Sequence, residues 1–234
     1  MKNILLTTIT SISLAYSLAY SSVNAEQLTQ KEKAILLLEK AFSTKQDRSV
    51  LNYINEKKYI QHNLYAQDGI KGLKEYLDYL KGKELENKVI IAFEDDNHVI
   101  TLSLSKKDKQ ISKVIDIFRF EKGLMVEHWD NAQELKKDEI LKTIKIADLD
   151  KTSENKKLIK EMIDKKISEG TYLKTHKILA QGNFILTINE LEENNQRFSL
   201  YEFFELKNSQ IVSSWNIKEI IPPISQWQNS NGKF

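Results

Sequence analysis

The sequence predicts an α+β fold built twice: a curved antiparallel sheet with helices on its concave face, cone-like in outline, then a truncated second copy. Three observations predict it. Apolar residues first recur at helical spacing and then, from Lys88, alternate as strands do. The stretch Val114–Gly123 running into Glu127-His128-Trp129-Asp130 reads as two strands around a glycine turn. An eroded copy, Tyr201–Leu206 running to Ser213-Ser214-Trp215-Asn216, follows in one ungapped register, offset by 86 residues (116 to 202, 129 to 215, 130 to 216).

Met1-Lys2-Asn3 precede an apolar run from Ile4 to about Tyr20, and Val23-Asn24-Ala25 supply small residues for signal cleavage. Residues 1–25 therefore read as a secretory leader, with Glu26 as the mature start and a periplasmic or secreted destination. Thr7, Thr8, Ser11 and Ser13 interrupt the run and no basic stop-transfer cluster follows, so no membrane anchor is expected once the leader is gone. Ala34, Ile35, Leu38, Ala41 and Phe42 then mark one helical face from Thr29 to about Thr44. Val50, Leu51 and Ile54 give a short second helix. Asp68-Gly69 turns into a third helix along Ile70, Leu73, Leu77 and Leu80. Strands follow at Val89–Phe93, His98–Leu104 and the two informative segments, with Asp95-Asp96-Asn97 and Lys106–Lys109 as turns.

These elements make a first domain over 26–147, and its linker from Asn131 reads as charged and partly helical. The second domain, 148–234, opens with an N-cap region at Asp150–Glu154 and a helix carrying Leu158, Ile159, Met162, Ile163 and Ile167, stopped by Gly170. Four strands follow, at His176–Leu179, Asn183–Ile188, Phe198–Leu206 and Ile211–Ile217. One helix cannot cover such a sheet, so its apolar face must dock on the first domain or pair with another copy as a homodimer.

Composition excludes several classes. The chain has 35 basic and 33 acidic residues, and Lys2 is the one basic residue of the leader. The remaining balance of 34 against 33 gives no footprint for nucleic acid. Cysteine is absent, which removes disulfides, thiol nucleophiles, thiolate metal sites and a lipidated cysteine.

The chemistry-bearing residues cluster in the first domain. Strand alternation places Asp116, Phe118 and Phe120 on one face, and a carboxylate among aromatics is desolvated, which raises its pKa. The same residue reads equally well as a buried aspartate tied to an amide or an arginine. If the hairpin pairs as its turn suggests, His128 and Asp130 point the same way as Asp116, with Trp129 on the other face. Arg119 and Glu127 read as a cross-strand ion pair on the outer face. His62, in Tyr59-Ile60-Gln61-His62-Asn63, carries an imidazole suited to proton transfer near neutral pH or to a structural hydrogen bond.

At these residues the chain resembles the SnoaL-like polyketide cyclase family, within the larger nuclear-transport-factor-like and ketosteroid-isomerase-like fold. The matching pieces are Tyr59-x-Gln61-His62-Asn63, Asp68-Gly69, Asp116-x-Phe118-Arg119, Gly123 and Glu127-His128-Trp129-Asp130. The second domain matches at Asp148–Thr152, Gly182-Asn183-Phe184, Trp215, Pro222-Pro223 and Trp227–Phe234. The resemblance implies a cone-shaped sheet around a small-molecule pocket.

In ketosteroid isomerases a base follows the second helix, and a protonated Asp with a Tyr from the first helix holds the enolate. His62 falls at the base and Asp116 at that Asp. The Tyr is replaced by Ile35-Leu36-Leu37-Leu38, so any such site needs a different donor. The resemblance thus assigns His62 as base, Asp116 as acid or oxyanion partner, and His128 with Asp130 as a supporting relay. Tyr59 and Gln61 line or cap the mouth, and Phe118 and Phe120 face the ligand. A His and two Asp also match a metal set by residue type. The family type is metal-free, so neither metal nor cofactor is expected.

In the second domain Asp116 becomes Glu202, His128 becomes Ser214 and Asp130 becomes Asn216, which reads as a scaffold. Three functions stay open: acid–base chemistry beside a carbonyl, a non-catalytic pocket for a small hydrophobic or carbonyl-containing molecule, and an assembly protein.

Overall fold

The computed structural model describes residues 28–135 and 145–234. The proposed leader and the middle of the linker lie outside the described residues. Among the described residues, no helix is long and apolar enough to cross a membrane.

Helix α1 spans Gln30–Leu36 and starts at a capping box. The Thr29 hydroxyl accepts from the Glu32 amide and the Glu32 carboxylate accepts from the Thr29 amide, satisfying two orphan donors. The helix then widens into a π turn over Leu37–Ala41. That turn shifts the buried face, so Ala34, Leu37, Leu38 and Ala41 pack inward and Ile35 stays half-buried. A 3₁₀ turn at Arg48–Tyr53, strand β1 (Ile60–Gln61) and helix α2 (Gly69–Tyr79) follow.

Strands β2 (Leu85–Asp95), β3 (His98–Lys107), β4 (Gln110–Glu121) and β5 (Leu124–Glu134) form an antiparallel meander. Strand β1 joins its edge parallel to β5, giving the order β1-β5-β4-β3-β2. Strand β5 reaches Glu134, so the first residues assigned to the linker belong to the sheet. Helix α3 (Thr152–Ser168) precedes a second meander of β6 (Lys174–Gln181), β7 (Phe184–Glu193), β8 (Gln196–Lys207) and β9 (Gln210–Ile220).

The layers follow from which face each strand buries. One face of the first sheet, with Val99, Phe118, Phe120 and Met125, packs on the helical segments before it. Its other face, with Phe93, Ile117 and Trp129, packs directly on Phe184, Tyr201 and Phe203 of the second sheet. Helix α3 covers the outer face of that second sheet through Ile159 and Ile163 on Ile185 and Phe204. The apolar face that one helix could not cover is therefore buried within the chain. Asn131, fully buried on β5, ties the two sheets together: its side-chain amide donates to Ser199 O at 3.1 Å and Ile217 O at 3.3 Å.

The offset of 86 residues recurs in the geometry. Asp116 faces Asp130 across β4 and β5, and Glu202 faces Asn216 across β8 and β9. Register breaks after Arg119 and Val89 recur after Glu205 and Thr175. The turn residues Lys122-Gly123 and Asn208-Ser209 hold positive φ, as tight two-residue hairpins require.

His176 lies at the β6 break, stacked on Phe234 at 3.8 Å with Nε2 against Glu190 at 3.0 Å. Burial, with Lys174, Lys177 and Arg197 nearby, pulls its pKa down to about 4. The unfolded chain takes up this proton near the ordinary value of 6.5, and the folded chain does so only near 4. Stability is therefore full above pH 6.5 and falls as pH drops through that window. His176→Gln is expected to flatten this part of the acid limb when melting temperature is followed against pH; an unchanged slope would contradict it.

Candidate functional site

A cavity of about 390 Å³ opens between the helical segments and the first sheet. Leu37, Leu38, Phe42, Leu73 and Phe118 give it an apolar body. Tyr59, Gln61, Asp116, His128 and Asp130 form its polar end. Strand alternation and the β4–β5 pairing place the last three on one face: Asp116 is opposite Asp130, and Phe118 is opposite His128.

His128 connects the set. Its Nε2 lies 3.0 Å from Asp116 Oδ1 and its Nδ1 3.1 Å from Gln61 Oε1. The same Gln61 oxygen accepts from the Asn63 backbone N–H at 2.8 Å, which fixes it as an acceptor. Nδ1 must therefore carry a proton and donate to Gln61. Nε2 and Asp116 Oδ1 then face each other across a second, shared proton. The ring lies between Phe118 (4.7 Å between centroids) and Tyr59 (6.4 Å). Asn63 Nδ2 donates to Asp130 Oδ2 at 2.9 Å. Among the described residues, Asp116 Oδ2 and Asp130 Oδ1 are buried without a hydrogen-bond partner.

Burial pushes the Asp116 carboxyl up, against the pull of His128. Burial opposes charge on His128, but the bond to Asp116 and the charges of Asp130 and Asp116 outweigh it, and its pKa rises. Burial and the same two carboxylates push the Tyr59 phenol up, so it stays a neutral donor.

His62 does not join them. Pairing of β1 with β5 aims Gln61 at the cavity, and alternation turns His62 to the opposite side. There it stacks on Trp129 at 4.6 Å, meets Gly232 O through Nδ1 and Glu127 Oε1 through Nε2, each at 2.9 Å. The base position assigned to it is thus vacated in favour of a structural contact. Glu127 also accepts from Arg119 Nε at 2.6 Å, the cross-strand pair read from the sequence. Gln61, buried, lines the cavity as read. Phe120 packs in the helix–sheet core and does not line the cavity.

Two contributors escaped sequence reading. Asn63 fixes both Gln61 and Asp130, and its signal was its place in the Tyr59–Asn63 string. The other is the segment after Trp227. Asn229 Nδ2 donates to Asn63 O and Ala66 O at 2.8 and 2.9 Å, and Asn231 Nδ2 to Gln61 O and Asp68 Oδ1 at 3.0 and 2.8 Å. Lys233 Nζ, buried, donates to Asp130 O at 2.8 Å and Glu219 Oε2 at 2.9 Å. Nothing in residue type alone says that 229–233 fold back onto the first sheet.

At the matching place in the second sheet, Glu202 is engaged by Asn189 Nδ2 at 3.2 Å, by the Tyr172 hydroxyl and by Lys166 at 3.7 Å.

No family model matches the sequence, and no curated protein matches it. Among solved structures the chain is similar to an NTF2-like protein of unknown function from Cytophaga hutchinsonii, at 14% identity and a TM-score of 0.39, over 47% of this chain and 94% of that one. It is also similar to TsrD from Streptomyces laurentii, at 16% identity and a TM-score of 0.36, over 44% of this chain and 84% of that one. The chain is a mixed α+β protein of curved sheets and few helices, with an NTF2-like protein among its structural neighbours.

Proposed function

We propose that this is an exported protein of two tandem SnoaL-like units, the second truncated, whose first cavity moves a proton beside the carbonyl of a small, largely apolar molecule. One observation carries the reading: two buried carboxylate oxygens without partners, Asp116 Oδ2 and Asp130 Oδ1, meet an apolar cavity of about 390 Å³. An acceptor without a donor is costly in such a place, so it favours a ligand that brings the missing proton. In this reading Asp130 takes the proton from the carbon beside the carbonyl. The Asp116–His128 pair holds one proton in reserve for its return. Tyr59 donates to the carbonyl oxygen, in place of the donor missing from the first helix. The recurring offset of 86 residues supports the tandem reading.

A second reading, a pocket that binds without catalysis, is favoured by His62 being committed elsewhere. Hydrogen–deuterium exchange at the α-carbon of a panel of aromatic β-ketoesters, followed by NMR, separates the two. The wild-type chain is expected to accelerate exchange, and Asp130→Asn to lose about 10²-fold or more of that acceleration. Uptake of the same esters without any acceleration would leave the binding reading.

A further inference from the structure

We propose that Asp116, His128 and Asp130 form a site for a divalent cation. The inference rests on reading this cavity as the working site and adds the group that its polar end is built to take. Asp116 Oδ2, His128 Nε2 and Asp130 Oδ1 would bind it; each of the three residues offers an atom within 4.8 Å of the others. Thr101, opposite Asp116 on β3, adds another buried oxygen without a partner on the same rung of the sheet.

The surroundings are arranged as outer-shell partners of a metal are. A ligating histidine usually donates its other ring N–H to an oxygen, which fixes the tautomer and aims the free nitrogen. His128 Nδ1 does this to Gln61, whose own orientation is fixed by the Asn63 amide. Asn63 also holds one oxygen of Asp130 and leaves the other open. Asp116 is 5% exposed, and one of its oxygens meets no donor. Burying such an oxygen is costly unless something positive compensates it.

The second sheet supplies an internal comparison. Its matching rung is Thr187, Glu202 and Asn216. There the chain closes the rung with its own donors, since Asn189 reaches both Thr187 and Glu202 and Lys166 approaches the carboxylate at 3.7 Å. The first sheet keeps two carboxylates on its rung, with the His128 imidazole from the Phe118 rung brought beside them. One nitrogen and carboxylate oxygens suit Zn²⁺ or Mn²⁺ better than Ca²⁺, which takes six to eight oxygens. The cation would take the place of the proton shared by His128 and Asp116. Its remaining positions would face the cavity, where a carbonyl oxygen would be polarised. The loaded site would thus act on the carbonyl through the cation, and Asp130 with the shared proton would serve proton transfer only in the metal-free chain.

Titration calorimetry of the whole chain, stripped with chelator, against ZnCl₂ and separately MnCl₂ tests this. Expected is one saturable site per chain, weakened at least 10-fold by Asp130→Asn and by His128→Gln, and unchanged by Glu202→Gln. Asn63→Ala, which touches no cation, should weaken binding by roughly 10-fold or more if it orients Asp130, and circular dichroism should show all variants folded. No saturable binding of either metal, or binding indifferent to Asp130→Asn and Asn63→Ala, overturns the proposal. Failure of metal binding while Asp130→Asn still abolishes deuterium exchange would sink the cation site and leave the proton-transfer reading. Metal binding with no exchange activity in either the stripped or the loaded protein would do the reverse.

Discussion

A chain stopped after Trp227 is expected to lose ligand uptake by at least 10-fold and to be less stable by roughly 7 kcal/mol, at about 1 kcal/mol for each of the seven side-chain hydrogen bonds removed. The loss comes from one place. Asn229 and Asn231 satisfy four acceptors around Gln61, Asn63, Ala66 and Asp68, and Gly232 O receives His62. Lys233 supports the backbone of Asp130 and neutralises Glu219, whose carboxyl burial pushes up. Without them the 59–68 segment keeps its short pairing with β5 and its contacts to Glu127, His128 and Asp130 but loses its outer grip, and the groups that orient His128 and Asp130 loosen. Hydrogen exchange of 59–68 and denaturant unfolding measure both effects. If the shortened chain shows full protection of that segment and wild-type uptake, the segment is packing and nothing more.

Phe203→Ala is expected to cost about 3–5 kcal/mol, the usual range for emptying a buried phenylalanine site. The ring is fully enclosed, edge-on to Phe93 at 5.9 Å and stacked on Trp215 at 4.5 Å. Phe93 belongs to the first sheet, so the void would open between the sheets. Both sheets should then unfold at a lower urea midpoint in one transition. Ile185→Ala sits under α3 instead and should weaken the second sheet alone. A change under 1 kcal/mol for Phe203→Ala would show that the face-to-face core does not hold the sheets together.

Periodicity carried most of the fold. The meanders, α2, α3 and the pairing of Asp116 with Asp130 were readable because a strand buries alternate residues and a two-residue turn fixes register. On the first helix, spacing places Ala34, Leu38 and Ala41 inward, and they are buried. It misses Leu37, and Ile35 stays half-buried, because the π turn at Leu37–Ala41 shifts the face by an amount no regular spacing encodes. In the site, Asp116, His128 and Asp130 share a local hairpin, so parity alone brings them together. Gln61 ends a two-residue strand and His62 follows it, so their facing depends on a parallel pairing far away in sequence. Parity there had no anchor: both residues are expected at the cavity, and only Gln61 faces it. Lys233 and Asn231 act across more than a hundred residues, and no local pattern announces such a contact.

The fold-back of 229–233 also sets a timetable. The loop that orients the cavity is gripped by side chains that a ribosome makes 163 to 170 residues after the groups they hold. The first sheet can form early, but its polar end stays ungripped until Lys233 has been added. Cleavage before Asn229 would reverse that last step and leave every strand of both sheets in place.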